Sequence, residues 1–298
     1  MGKFKSIGLG LFREVHRPRY GRQDIGHSPG GPMDKFSMQI GNIALGNDDF
    51  APAVEIVSIN ALEFGQDCLF VLVGAKRKSA SLHQRWSHHQ ASIDVSHGMI
   101  CLARQNDRIT LGETEYGFRT YLCHAPCDVN NIAVSQRSLI GRTIPQYSEI
   151  YTAGDPENRI RVLKGPEYCY LEDPSLFLEQ PWMTTADMND MGIRLSCLSG
   201  EQLPGKLKEM ISAPVNDGTV QLTPKGPIIL LRMRQTIGGY PRIFNVIGSD
   251  LDLLGQYAPR QVVRFREVSL DESLCAAARK KQDVDEFKIR WPDRIVHG

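Results

Sequence analysis

Short apolar runs, each closed by Gly, Pro, Asn or Asp, constrain this chain more than any other feature of its sequence. Leu69–Val73, Met99–Ala103, Arg108–Leu111, Phe118–Cys123, Arg159–Leu163, Ile193–Leu198, Thr219–Leu222, Ile228–Met233, Ile243–Ile247 and Val262–Val268 read as strands. Strands this frequent, with no helical run between successive pairs, argue against alternating βαβ units and predict a mainly β chain built of barrels or sandwiches. A few helices interrupt them. Met33, Phe36, Ile40, Ile43 and Ala44 share one helical face, with Pro32 suited to the first helical position, Asp34 to the positive end and Gly46-Asn47 to the stop. Ser249–Tyr257 reads as a short helix capped by Ser249 or Asp250. Leu270–Lys281 reads as another, acidic early and basic late, with a mixed tail beyond it.

At 298 residues the chain fits two domains of about 150 residues each. Pro145, Gly154 and Pro156 punctuate the stretch 143–157, which lacks periodicity. The expected division is residues 1–150, residues 151–270, and a C-terminal helix and tail over 271–298. Lys plus Arg number 35 and Asp plus Glu 34, a net charge of +1, so no global basic field draws the chain to nucleic acid or anionic lipid. The longest apolar stretches, Cys68–Val73 and Pro227–Leu231, fall far short of the ~20 residues of a membrane helix. The opening Met-Gly-Lys-Phe-Lys-Ser lacks the apolar run of a signal peptide, and the expected location is cytoplasmic. The seven cysteines then read as reduced thiols, mostly buried in apolar runs. Cys123, His124 and Cys127 have a spacing that suits metal ligands, with His88 and His89 as distant partners. Cys123 also ends an alternating strand and no second close pair exists, so the expectation is no metal.

Two stretches stand out for chemistry. Arg234–Pro241 follows an apolar strand. Its two glycines suit an approach of backbone N–H groups to a ligand, while Gln235, Thr236 and Tyr240 supply neutral hydrogen-bonding groups. Gly26–Asp34 is a Gly/Pro loop that feeds a helix start, a place where an anion is well received, although no nucleotide-loop signature is present.

These stretches belong to a longer pattern. Gly26–Asn47 carries G-x-x-x-G-G-P-M-D and then N-x-x-L-G-N, followed by Ala53-Val54-Glu55-Ile56. Gly117–Leu122, Ser135–Ser138, Arg161–Pro166, Met191–Leu195, Gly218–Gln221, Gly226–Ile228 and Gln235–Pro241 follow in order. The set resembles the biotin-dependent carboxyltransferase family, which includes subunit 2 of allophanate hydrolase, the C subunit of 5-oxoprolinase, the antagonist of a sporulation-kinase inhibitor and a part of urea amidolyase. The resemblance implies two related cyclophilin-like β-barrels with a few short helices and a cleft between them. It implies substrate-binding positions at Arg194, Gln221, Gln235, Thr236, Gly238, Gly239, Tyr240, Gly31 and Asp34, with Asn42 also at a motif position, and names no catalytic residue.

The chain departs from the family pattern at several points. Cys123–Cys127 replaces a stretch that usually carries Gly-Gly, Val15-His16 stands where Gln-Asp is usual, Asn189-Asp190 precedes Met191, and Ile237 replaces a threonine. The resemblance implies a subunit of an ATP-dependent amide-hydrolysing complex of the 5-oxoprolinase or allophanate hydrolase type. ATP would be handled by partner subunits, because this chain has no nucleotide motif. The implied partners are a subunit-1-type protein of the same superfamily and a lactam-utilisation-type subunit. The alternatives are a carboxyltransferase component that takes carboxybiotin from a separate carrier, and a non-catalytic regulatory subunit.

Overall fold

The computed structural model describes residues 4–85, 91–145, 147–150, 154–199 and 210–297. The chain forms two compact units. Met1–Arg17, Asp34–Ile150 and Asp283–Gly298 make the first, Pro18–Met33 and Tyr151–Gln282 the second. Nothing in the sequence signals that residues 18–33 group with the second unit and residues 283–298 with the first.

The first unit holds β1 (Phe4–Val15), β2 (Ala53–Phe64), β3 (Cys68–Arg77), β4 (Ala80–Gln84), β5 (Ala91–Asp94), β6 (Cys101–Ala103), β7 (Arg108–Leu111) and β8 (Thr114–Pro126). They form one curled antiparallel sheet in the order β5-β4-β7-β2-β8-β3-β6, with β1 also paired to β2. β2 meets β8 through its first half and β7 through its second, and β1 along nearly its whole length. One strand thus serves three neighbours, which bends the sheet around a core of Ile56, Leu62, Phe64, Phe70, Leu72, Ile109 and Leu122. Helix α1 (Lys35–Ala44) packs on β3 and β8. Gly41 makes that approach possible, since a Cβ there would lie 2.7 Å from Cys123 Sγ and 2.9 Å from Val73 Cγ2. The helix is capped by Asp34 itself, outside the first turn. It stops where Gly46, in the left-handed region at φ +76°, and Asn47 return their N–H groups to Ile43 and Asn42.

The second unit holds β9 (Ile160–Lys164), β10 (Trp182–Thr184), β11 (Gly192–Cys197), β12 (Ala213–Pro214), β13 (Thr219–Thr223), β14 (Gly226–Leu230), β15 (Ile237–Gly238), β16 (Arg242–Val246), β17 (Val262–Val263) and β18 (Phe265–Glu267). Eight of them form a second sheet, β17-β10-β11-β14-β13-β16-β9-β18, antiparallel except between β18 and β9, while β12 pairs with β15 in a separate ribbon. Its core includes Met33, from the N-terminal segment, and Phe177, stacked 4.8 Å from Phe244 and 4.6 Å from Phe265. The fold is therefore mainly β, with two curled, barrel-like sheets.

The helix expected over Leu270–Lys281 runs instead through Leu270–His297, absorbing the tail. Near its end Val284, Phe287 and Trp291 are buried, and Trp291 Nε1 donates to the Ala44 carbonyl at 3.1 Å. The short helix expected at 249–257 spans Leu251–Gly255, and the Asp250 side chain does not cap it. Among the described residues no helix is long and apolar enough to cross a membrane.

Candidate functional site

Alternation along three neighbouring strands builds the site. Ile193 and Leu195 on β11, Val220 and Leu222 on β13, and Ile229 on β14 turn into the core of the second unit. The intervening residues, Gly192 and Arg194, Gln221 and Thr223, Ile228 and Leu230, turn to the opposite face and line a cavity of about 250 Å³. Asp187, Asn189, Met191, Gln235 and Tyr240 complete its lining. Register fixes the key neighbours: Ile228 pairs with Arg194 on one side and with Gln221 on the other. One row across the sheet thus carries a guanidinium, an aliphatic side chain and an amide.

Each polar group is held differently. The Arg194 guanidinium donates from Nη1 to Thr223 Oγ1 at 3.1 Å and has no carboxylate partner among the described residues. Thr223 Oγ1 in turn donates to the Gly226 carbonyl at 2.6 Å. Gln221 is 1% exposed, and its Nε2 donates to the Tyr240 carbonyl at 3.2 Å. Gly238 makes this position possible, because a Cβ there would lie 2.5 Å from Gln221 Nε2. Tyr240 is 46% exposed at the rim, and Gln235 is also exposed. Behind them Glu167 clamps Arg242. Its Oε2 accepts from Arg242 Nε at 2.8 Å and from the Arg242 backbone N–H at 2.9 Å, and its Oε1 from Nη2 at 2.6 Å. Those bonds hold the Glu167 carboxyl below its ordinary range against the opposing effect of burial.

The structure brings together Arg194, Gln221, Gln235 and Tyr240. Thr236, Gly238 and Gly239 flank them in sequence without lining the cavity. Gly238 and Gly239 do not adopt the left-handed backbone of an anion-binding nest. Ile237–Gly238 is extended and paired with Ala213–Pro214, so β-pairing has displaced the turn that two glycines suggest. Gly31, at φ +88°, belongs to the N-terminal segment and is not part of the lining either. Asp34 is fully buried, and its two oxygens accept from Ser37 N–H at 2.9 Å and Ser37 Oγ at 2.5 Å. Asn42 is spent on structure: its Nδ2 donates to the Ala51 carbonyl at 2.9 Å and its Oδ1 accepts from Asn47, which explains the N-x-x-L-G-N spacing.

Sequence reasoning missed Asp187, Asn189 and Thr223 as lining residues. Period-two alternation could have found Thr223, two residues beyond Gln221 on the same strand face. The cysteines are less uniform than expected. Cys68, Cys101 and Cys123 are buried, while Cys169 and Cys275 are exposed. Burial pushes the Cys101 thiol up to about 11 and those of Cys68 and Cys123 further. Cys123 Sγ faces the Met38 carbonyl at 3.6 Å, whereas His88 and His89 lie outside the described residues.

Comparison with known proteins agrees with this architecture. The chain is 31% identical to the C subunit of 5-oxoprolinase from Haemophilus influenzae over 93% of both chains. It is also 31% identical to that of Escherichia coli, over 96% of this chain and 97% of that one. It is 22% identical to urea amidolyase of Saccharomyces cerevisiae, covering 93% of this chain but 17% of that protein. The crystal structure of Kluyveromyces lactis urea amidolyase superposes with a TM-score of 0.73 at 19% identity, over 95% of this chain and 20% of the other. The family profile described as carboxyltransferase domain, subdomain A and B, matches residues 25–136 and 128–267. The chain therefore belongs to the carboxyltransferase-domain family.

Proposed function

We propose that this chain is a subunit of an ATP-dependent amide-hydrolysing complex of the 5-oxoprolinase type, and that its sheet-face cavity receives a small amide bearing a carboxylate. The observation that carries the reading is the row Arg194–Ile228–Gln221. It offers a cation with no carboxylate partner among the described residues, an apolar floor and an amide within one cavity of about 250 Å³. A cavity of that size suits a small polar molecule better than an extended apolar one. The two bacterial relatives that span nearly the whole chain bear the name of such a subunit. ATP would be bound by a subunit-1-type protein and a lactam-utilisation-type subunit, since no nucleotide loop occurs here. In that division of work the amide oxygen takes a phosphoryl group from ATP and water adds at the same carbon. The C–N bond then opens to leave an acyl phosphate, which a second water hydrolyses to the carboxylate and phosphate, while this chain orients the substrate.

Purifying the chain with those two partner types and following 5-oxoproline, glutamate and phosphate tests the reading. ATP-dependent ring opening that stops when this chain is omitted is the expected result. An assembled complex that leaves 5-oxoproline intact would count against it, and turnover that needs carboxybiotin on a separate carrier would favour carboxyl transfer. Tyr240→Phe is expected to weaken substrate binding by about 0.5–1.5 kcal/mol. Its hydroxyl stands at a half-exposed rim, where water offsets part of a lost hydrogen bond.

A further inference from the structure

The amide of Gln221 has one polarity. Its Nε2 donates to a backbone carbonyl, that of Tyr240, at 3.2 Å, and reversing the amide would set two oxygens against each other. The Oε1 atom is therefore the end left over; it accepts no hydrogen bond among the described residues and is not sealed from solvent, opening instead on the cavity. An acceptor that opens on a cavity takes its donor from water or from a bound molecule, and a ligand N–H that replaces the water is favoured over a ligand that lacks one. The donor must come from the cavity that Gln221 lines.

The cation lies close by. Arg194 starts from β11, yet its guanidinium reaches across β14 to Thr223, two residues along β13 from Gln221. Two residues along a strand span roughly 6–7 Å, so one small molecule can meet both groups. Gly238 sets the position of Gln221 from behind, as the absent Cβ leaves the space that Nε2 occupies.

We infer that Gln221 is the specificity-determining residue of this cavity: its Oε1 accepts the N–H of a cyclic secondary amide whose anionic group is held by Arg194. The inference rests on the function proposed above and adds to it a demand for an unsubstituted amide N–H. An amide that lacks the N–H, or a lactam that lacks the anion, would leave one of the two groups unpaired.

Calorimetry on the full chain in its complex, with 5-oxoproline, its N-methyl derivative and 2-pyrrolidone as probes, tests this. The expected order places 5-oxoproline at least about tenfold tighter than either analogue. Gln221→Leu should erase the penalty for N-methylation while keeping the preference for the carboxylate, and Arg194→Met should do the reverse. Gly238→Ala offers a second route should Gln221→Leu fail to fold. The new methyl meets only the movable end of Gln221, so it should shift the amide and narrow N-methyl discrimination with little loss of thermal stability. Equal affinity for the N–H and N-methyl probes would overturn the inference, as would discrimination unchanged in Gln221→Leu or in a folded Gly238→Ala. So would the failure of all three probes to bind. Turnover of 5-oxoproline without N–H discrimination sinks this inference and spares the proposed function. Intact discrimination without turnover does the opposite.

Discussion

Glu167 lies behind the Tyr240 segment, and its bonds to Arg242 make that segment sensitive to acid. Both carboxylate oxygens accept from the guanidinium, and one also accepts from the Arg242 backbone, so ionisation is favoured in the folded state. A carboxyl whose folded pKa is depressed contributes stability that is fully present above its unfolded value, about 4.3, and is lost as pH falls through the lower folded value. Glu167→Gln is therefore expected to cost about 1–3 kcal/mol near neutrality, as a charge-assisted pair does, and much less below pH 3. Urea unfolding at a series of pH values checks this, and a variant whose deficit is the same at pH 3 and pH 7 would exclude the linkage. Glu167 follows Gly165-Pro166 in a motif whose family match assigns the glutamate no role. Its partner lies 75 residues away, and no local periodicity encodes a pairing at that distance. Gln221 and Arg194 were legible by another route, as positions within the family-like motifs Gly218–Gln221 and Met191–Leu195.

At the scale of elements, strands inside regular alternation could be read, and elements defined by tertiary packing could not. Arg108–Leu111 was recovered to the residue and Ile193–Leu198 to within one. β1 escaped because Gly8, Leu9 and Gly10 interrupt its alternation, and its register against β2 shifts there. Asp250 illustrates a second limit. Its place before a short apolar run reads as a helix cap, yet its carboxylate accepts instead from Arg161, through the backbone N–H at 2.8 Å and through Nε at 3.0 Å. Both side chains are almost fully buried. Asp250→Ala would leave that guanidinium buried without its carboxylate and should destabilise the second unit by about 3–5 kcal/mol. Substituting both with apolar residues of similar volume should recover much of the loss. Chemical denaturation of the single and double variants decides the matter: a single variant within 0.5 kcal/mol of the parent, roughly the scatter of neutral surface changes, would rule it out.

For the whole molecule, the decisive fact is that neither unit is a contiguous half of the sequence. Residues 18–33 give the second unit Met33 for its core, the Met33 carbonyl for Arg232 Nε at 3.3 Å, Ser28 Oγ for the Arg234 carbonyl at 2.5 Å and the Tyr20 hydroxyl for Asp217 at 3.3 Å. Asp217 also lies within ion-pair distance of the buried Arg232 and Arg234, so this segment covers a charged cluster that water would otherwise enter. Residues 283–298 complete the exchange with buried Val284, Phe287 and Trp291 in the first unit. A cut at the apparent linker near residue 150 therefore removes core from both sides. Removing a buried Phe or Trp alone costs about 3–5 kcal/mol, a large part of the 5–15 kcal/mol that holds a typical domain together. The fragments 1–150 and 151–298, expressed singly, are expected to lack a cooperative thermal transition, and their co-expression should restore one. Circular dichroism melts compare the three samples directly. A 151–298 fragment that melts as cooperatively as the intact chain would mean that the N-terminal segment decorates the second unit without completing it.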